Sequence, residues 1–93
     1  MIVGVMTWEL HLMACQSLKD KRAVLKSLKD RLHNRFNVSV AETAHHDLWQ
    51  RAELTASVVS TDRVHAENVL READRLVADA PGARIVDTST SYL

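Results

Sequence analysis

Five basic side chains, Lys19, Arg22, Lys26, Lys29 and His33, recur at alternating intervals of three and four residues. On a helix, at 100° per residue, they fall within about 80° of one another. Such a line of cations can follow a phosphate backbone, each contact displacing condensed counterions. The same pattern serves a solvated flank whose Lys and Arg stems shield the edge of a core. The wider segment 19–35 holds seven Lys/Arg (Lys19, Lys21, Arg22, Lys26, Lys29, Arg31 and Arg35) against Asp20 and Asp30. A basic surface is therefore expected inside a chain whose formal net charge is zero.

A second group invites metal chemistry. His45, His46 and Asp47 are successive, and His11 or Cys15 can approach from a neighbouring loop. Successive residues of a strand point to opposite sides, so the two histidines suit a single ion poorly. Asp at a hairpin also serves the local backbone. Cys15 follows Met13 and Ala14 and sits in no nucleophile motif, so it reads as a small buried thiol. Gly4 and Gly82 are too isolated to build a phosphate-cradling loop. No enzyme, metal or cofactor is expected. Trp49 with Arg51 is different: beside a hairpin, this pair suits a partner-docking anchor. The alternative is that Trp49 folds back to cap the open end of the core.

These residues need elements to position them. Ile2 to Leu12 alternates, with Ile2, Gly4, Met6, Trp8, Leu10 and Leu12 on one face, which predicts a strand. Ser17 can cap a helix with Asp20 three residues on, and Leu18, Leu25, Leu28, Leu32 and Phe36 carry helical spacing to about Arg35. Asn37 breaks it. Val38–Ala44 predicts a second strand, His45-His46-Asp47 a turn, and Arg51–Ser60 a third strand. Thr61 and Asp62 offer caps for a helix from Arg63 to about Asp79, stopped by Pro81-Gly82, and Ala83 to Tyr92 predicts a last strand.

The order β-α-β-β-α-β defines a ferredoxin-like sandwich, a four-stranded antiparallel sheet of order 4-1-3-2 with two helices on one face. Residues 1–93 then form one domain, and 46% hydrophobic with 26% charged residues fits a globular chain of this size. The topology brings the loop after the first strand, the start of the first helix and the second hairpin to one end. Cys15, Ser17, Lys19, Arg22, His45, His46, Asp47 and Trp49 gather there. The open sheet face carries Val3, Val5, Thr7, Glu9 and His11 beside Arg51, Glu53, Thr55, Ser57 and Val59. None is aromatic, which argues against bases stacking on the sheet. Small and mixed, this face suits solvent or a second copy of the chain, as in a homodimer. No apolar run approaches the ~20 residues a membrane span needs, and the N-terminal MIVGVMTWELHL lacks the basic start of a signal peptide. One cysteine excludes an intrachain disulfide. A cytoplasmic location is expected.

In combination, several blocks resemble the YlxP-like family of small bacterial proteins of unknown function. They are Ser17-Leu-Lys-Asp-Lys-Arg-Ala-Val-Leu-Lys-Ser-Leu28, Arg35-Phe-Asn-Val-Ser-Val-Ala-Glu42, Asp47-Leu-Trp-Gln-Arg-Ala52 and Val58-Val-Ser60. The resemblance spans nearly the whole chain and implies the ferredoxin-like fold. It also implies a setting among translation genes, including those for ribosome-binding factor A and an initiation factor. Two stretches depart from the family pattern: Met13-Ala-Cys-Gln16 lacks a proline often found there, and Thr43-Ala-His45 is less acidic. The combined expectation is a non-enzymatic accessory protein binding ribosomal RNA, the small subunit or an assembly complex. Lys19, Arg22, Lys26 and Lys29 would contact phosphates, with Trp49 and Arg51 docking a partner. The competing expectation is a homodimeric or hetero-oligomeric interaction module built on the open sheet face and the edge strands.

Overall fold

A computed structural model describes residues Met1–Leu93. Its elements run β1 (Ile2–His11), α1 (Leu18–Arg35), β2 (Ser39–Ala44), β3 (Arg51–Ser60), α2 (Arg63–Ala78) and β4 (Arg84–Tyr92). All strand pairs are antiparallel and the sheet order is β2-β3-β1-β4, the predicted ferredoxin-like topology. β1 and β3 are the inner strands, and each buries every second residue. Met6, Trp8 and Leu10 of β1 meet Ala52, Leu54, Ala56 and Val58 of β3 on the helix side.

The helices start where the sequence offers caps. The Ser17 hydroxyl accepts the Asp20 amide at 3.0 Å, and the Asp20 carboxylate accepts the amide of Gln16, one residue before the cap, at 3.0 Å. The Asp62 carboxylate accepts the Val64 amide at 3.0 Å. Gly82, at φ 81°, supplies the left-handed turn that leads from α2 into β4.

Small residues set how closely α2 lies on the sheet. A Cβ on Gly4 would stand 2.9 Å from Leu70 Cδ1, 3.1 Å from Tyr92 Cε1 and 3.2 Å from Val58 Cγ1, so only glycine lets α2 settle there unadjusted. Trp8, fully buried between sheet and helices, donates its indole N–H to Asp74 at 2.9 Å, which satisfies its one polar atom. β4 lies largely outside this cover: from Val86 to Ser91 its residues are exposed.

Candidate nucleic-acid interface

The buried stripe of α1 consists of Lys21, Leu25, Leu28 and Leu32. One flank of the helix carries Val24, Ser27 and Arg31, which line a cavity with Ala80 and Pro81 and so face the end of α2. By helical geometry Lys19, Arg22, Lys26, Lys29 and His33 occupy the opposite flank, on the side where α1 packs against edge strand β2. The structure thus brings the four expected phosphate-contacting residues onto one surface. Lys19, Arg22 and Lys26 are exposed and Lys29 is half-buried.

Their charges are not equally available. Lys26 Nζ lies 2.8 Å from Asp30 Oδ2, and the pairing raises the lysine pKa while lowering that of the aspartate. Lys19, Arg22 and Lys29 belong to none of the six ion pairs of the chain.

Lys21 departs from the basic surface read from the sequence. Its side chain is only 2% exposed, and Nζ lies 2.8 Å from Glu42 Oε2 on β2. Nζ also donates to the His45 carbonyl at 2.6 Å. Glu42 Oε2 has no well-directed hydrogen bond, so its contact with the ammonium is an ion pair without ideal bonding geometry. A signal for this inward turn was present. Lys21 lies three residues after Leu18 and four before Leu25, which is a core position on the apolar stripe.

His45 holds the hairpin end from the other side. It has a left-handed backbone, φ 63°, and its carbonyl accepts the Leu48 amide at 3.1 Å as well as Lys21. Its ring Nε2 meets Glu9 Oε1 at 3.0 Å, and Arg51 donates to Glu9 Oε2 at 3.1 Å. Burial opposes ionisation of Glu9, but the hydrogen bonds from His45 and Arg51 outweigh it and hold the carboxyl below its ordinary range. Buried Lys21 on the helix side and Glu9 on the open side thus grip the same turn. Gln50 completes the grip, its amide donating to the Cys15 carbonyl at 3.1 Å.

Trp49 does not cap the core. It is 52% exposed and, with Leu48, Arg51, His11, Asp47 and Gln50, lines an open groove of roughly 570 Å³. Arg51 and His11 are paired in register and alternate with buried Ala52 and Leu10, so this groove opens toward the helix-free face of the sheet. Trp49 and Arg51 therefore come together, but across the sheet from the cationic flank of α1. The expected site is two surfaces meeting at one end of the molecule.

The histidine cluster disperses: the His45 ring turns to Glu9 and the His46 ring to the Glu42 carbonyl at 3.1 Å. No three His, Cys, Asp or Glu side chains converge on a point that could hold a metal ion. Cys15 is buried, and burial first, with Asp20 nearby, pushes its thiol pKa up, away from the reactive thiolate. On the open face the rows are banded by chemistry. Arg84, His11 and Arg51 form a basic row, then Asp87, Glu9 and Glu53 an acidic one, then Ser89, Thr7 and Thr55 a hydroxyl one.

A ferredoxin-like domain with a basic helix flank is the class of protein these features define. The chain belongs to the DUF503 family, proteins of unknown function, whose pattern it matches over residues 3–90. It is 34% identical over 91 residues to a Bacillus subtilis (strain 168) protein named "Uncharacterized protein YlxP", covering 98% of this chain and 99% of that one. Among solved structures it is similar to the de novo designed protein Foldit4, with a TM-score of 0.57 at 13% identity, covering 100% of this chain and 97% of the other. It also resembles the designed ferredoxin-fold protein LFR1 1, with a TM-score of 0.52 at 13% identity, covering 100% and 83%. These structural likenesses concern the fold alone. No helix is long and apolar enough to cross a membrane.

Proposed function

We propose that this chain is a non-enzymatic, cytoplasmic accessory protein that binds ribosomal RNA, in the small subunit or an assembly intermediate, through the cationic flank of α1. The observation that carries the reading is the alignment of Lys19, Arg22, Lys26 and Lys29 along one flank, three of them outside any ion pair. Unpaired, hydrated ammonium and guanidinium groups at helical spacing are suited to successive phosphates, because nothing internal must be broken to release them. The ribosomal part of the reading draws on the translation-gene setting that the family resemblance implies. Trp49, exposed beside Arg51, serves as an anchor for a protein or RNA surface at the adjoining hairpin end.

The test is binding of a labelled small-subunit RNA fragment across a salt series, with gradient sedimentation of the tagged chain from lysate. Four phosphate contacts give a slope of roughly −3 in log affinity against log salt. Arg22→Glu with Lys26→Glu abolishes RNA association while the thermal midpoint falls by only a few degrees, since both side chains are exposed and the Lys26–Asp30 pair that is lost lies on the surface. Full binding by that double variant, or affinity indifferent to salt, would sink the reading.

A further inference from the structure

The two edges of the sheet are not protected alike. β2 has six residues, its register with β3 shifts between Glu42 and Ala44, and the cationic flank of α1 runs beside it. A second β2 brought against it meets a bulge and like charge. β4 runs nine residues from Arg84 to Tyr92 without a lysine or a proline. Its first half is blunted: the register with β1 shifts between Glu9 and Leu10, and the Thr88 amide is taken by the neighbouring Asp87 carboxylate at 2.9 Å.

Its last residues are open. Leu93 and Val3 exchange both backbone hydrogen bonds, at 2.8 and 3.1 Å. By antiparallel alternation Ser91 and Ser89 also turn their backbone groups toward β1, while Thr90 and Tyr92 direct theirs outward, where no strand lies.

A second feature sits at the same level. The flank of α2 nearest β4 carries Arg63, Glu67, Arg71 and Asp74 at intervals of four, four and three residues. Glu67, Arg71 and Asp74 line a groove with Met6, Thr90 and Tyr92, and the Arg63 guanidinium lies 4.0 Å over the Tyr92 ring. The charges read plus, minus, plus, minus. Within the helix Arg63 already bonds Glu67 at 3.0 Å, and Asp74 accepts the Trp8 indole; reversed by a two-fold axis, each sign still lies opposite its complement, Arg63 to Asp74 and Glu67 to Arg71. The midpoint of this pattern, between Glu67 and Arg71, lies beside Thr90 and Tyr92, where the strand edge is open.

We propose that the chain pairs with a second copy of itself along β4, Thr90 opposite Tyr92 of the copy and Ser91 on the two-fold axis. The two sheets join into one of eight strands. The α2 flanks face each other across the new seam with complementary charge, an isologous contact that closes on itself. This contact uses a strand edge and a helix flank, leaving both the open sheet face and the basic flank of α1 free.

The experiment is sedimentation equilibrium of the full chain from low micromolar to millimolar concentration, with three variants. The unaltered chain dimerises within that range. Arg71→Glu places two like-charge contacts across the axis and raises the dissociation constant by about tenfold. Glu67→Arg combined with Arg71→Glu restores the reversed pattern and returns the dissociation constant to near its original value. Thr90→Pro removes an outward donor that β1 does not use, so it abolishes the dimer while circular dichroism still reports the folded monomer. A chain monomeric throughout overturns the proposal. So does a dimer indifferent to Thr90→Pro, or one that the charge swap fails to restore.

Discussion

Lys21 shows how much one residue's position matters to the electrostatics of this surface. A lysine in the basic segment was expected among the solvated cations, yet it is the one charged side chain fully buried in the core. Its ammonium is stabilised by Glu42 and the His45 carbonyl, and neither partner tolerates its loss well. Removing the cation leaves the Glu42 carboxylate partly buried and uncompensated, the costly way to break such a pair. Lys21→Met is therefore expected to lower unfolding free energy in urea titrations by about 3 kcal/mol. Lys21→Met with Glu42→Leu removes both charges and returns stability to within about 1 kcal/mol of the original. Neither change is expected to alter RNA affinity directly, because Lys21 presents no charge to solvent. An equal loss in the single and double variants would show that the pair itself is not the source.

At the scale of elements, the hairpin between β2 and β3 is tied to β1 by Glu9, which receives both His45 and Arg51. The depressed pKa of Glu9 has a definite sign in stability. A carboxyl held below its ordinary value of 4.5 contributes fully above that value and loses the contribution as pH falls through its folded-state value. The thermal midpoint of Glu9→Gln should therefore lie below that of the unaltered chain near neutrality. The gap should close as the solution is acidified well below about pH 4. A gap constant with pH would mean that the interaction does not depend on the ionised carboxylate. The tie also holds Arg51 at the mouth of the Trp49 groove, so a partner there meets an arginine already oriented by Glu9.

For the whole molecule, pairing along β4 determines where the basic flanks go. With β4 at the centre of an eight-stranded sheet, the two β2 edges lie outermost, about 34 Å apart at ordinary strand spacing. An RNA long enough to reach both α1 flanks binds bivalently, and because the second flank then binds intramolecularly, apparent affinity rises without either flank binding more tightly by itself. Thr90→Pro is expected to weaken binding of such an RNA by at least about tenfold. The same variant should leave an oligonucleotide too short to bridge the flanks unaffected. Parallel anisotropy titrations with the two RNAs make the comparison, and equal effects on both would argue against bivalent binding.

The element order, the caps at Ser17 and Asp62, the sheet order and the shared flank of Lys19, Arg22, Lys26 and Lys29 follow from the sequence by itself. All are consequences of local periodicity, of side chains that bond their own backbone, and of a connectivity that leaves few arrangements. Whether Trp49 covers the core or stands exposed depended on where the hairpin end packs, and it stands exposed. The burial of Lys21 depended on Glu42 and His45 arriving from more than twenty residues away. The separation of the Trp49 groove from the α1 flank, and the open backbone of Thr90 and Tyr92, depended on which sheet face the helices cover and how far α2 reaches over β4. Such features belong to contacts between elements, and a one-dimensional pattern carries periodicity but not the distances between remote segments.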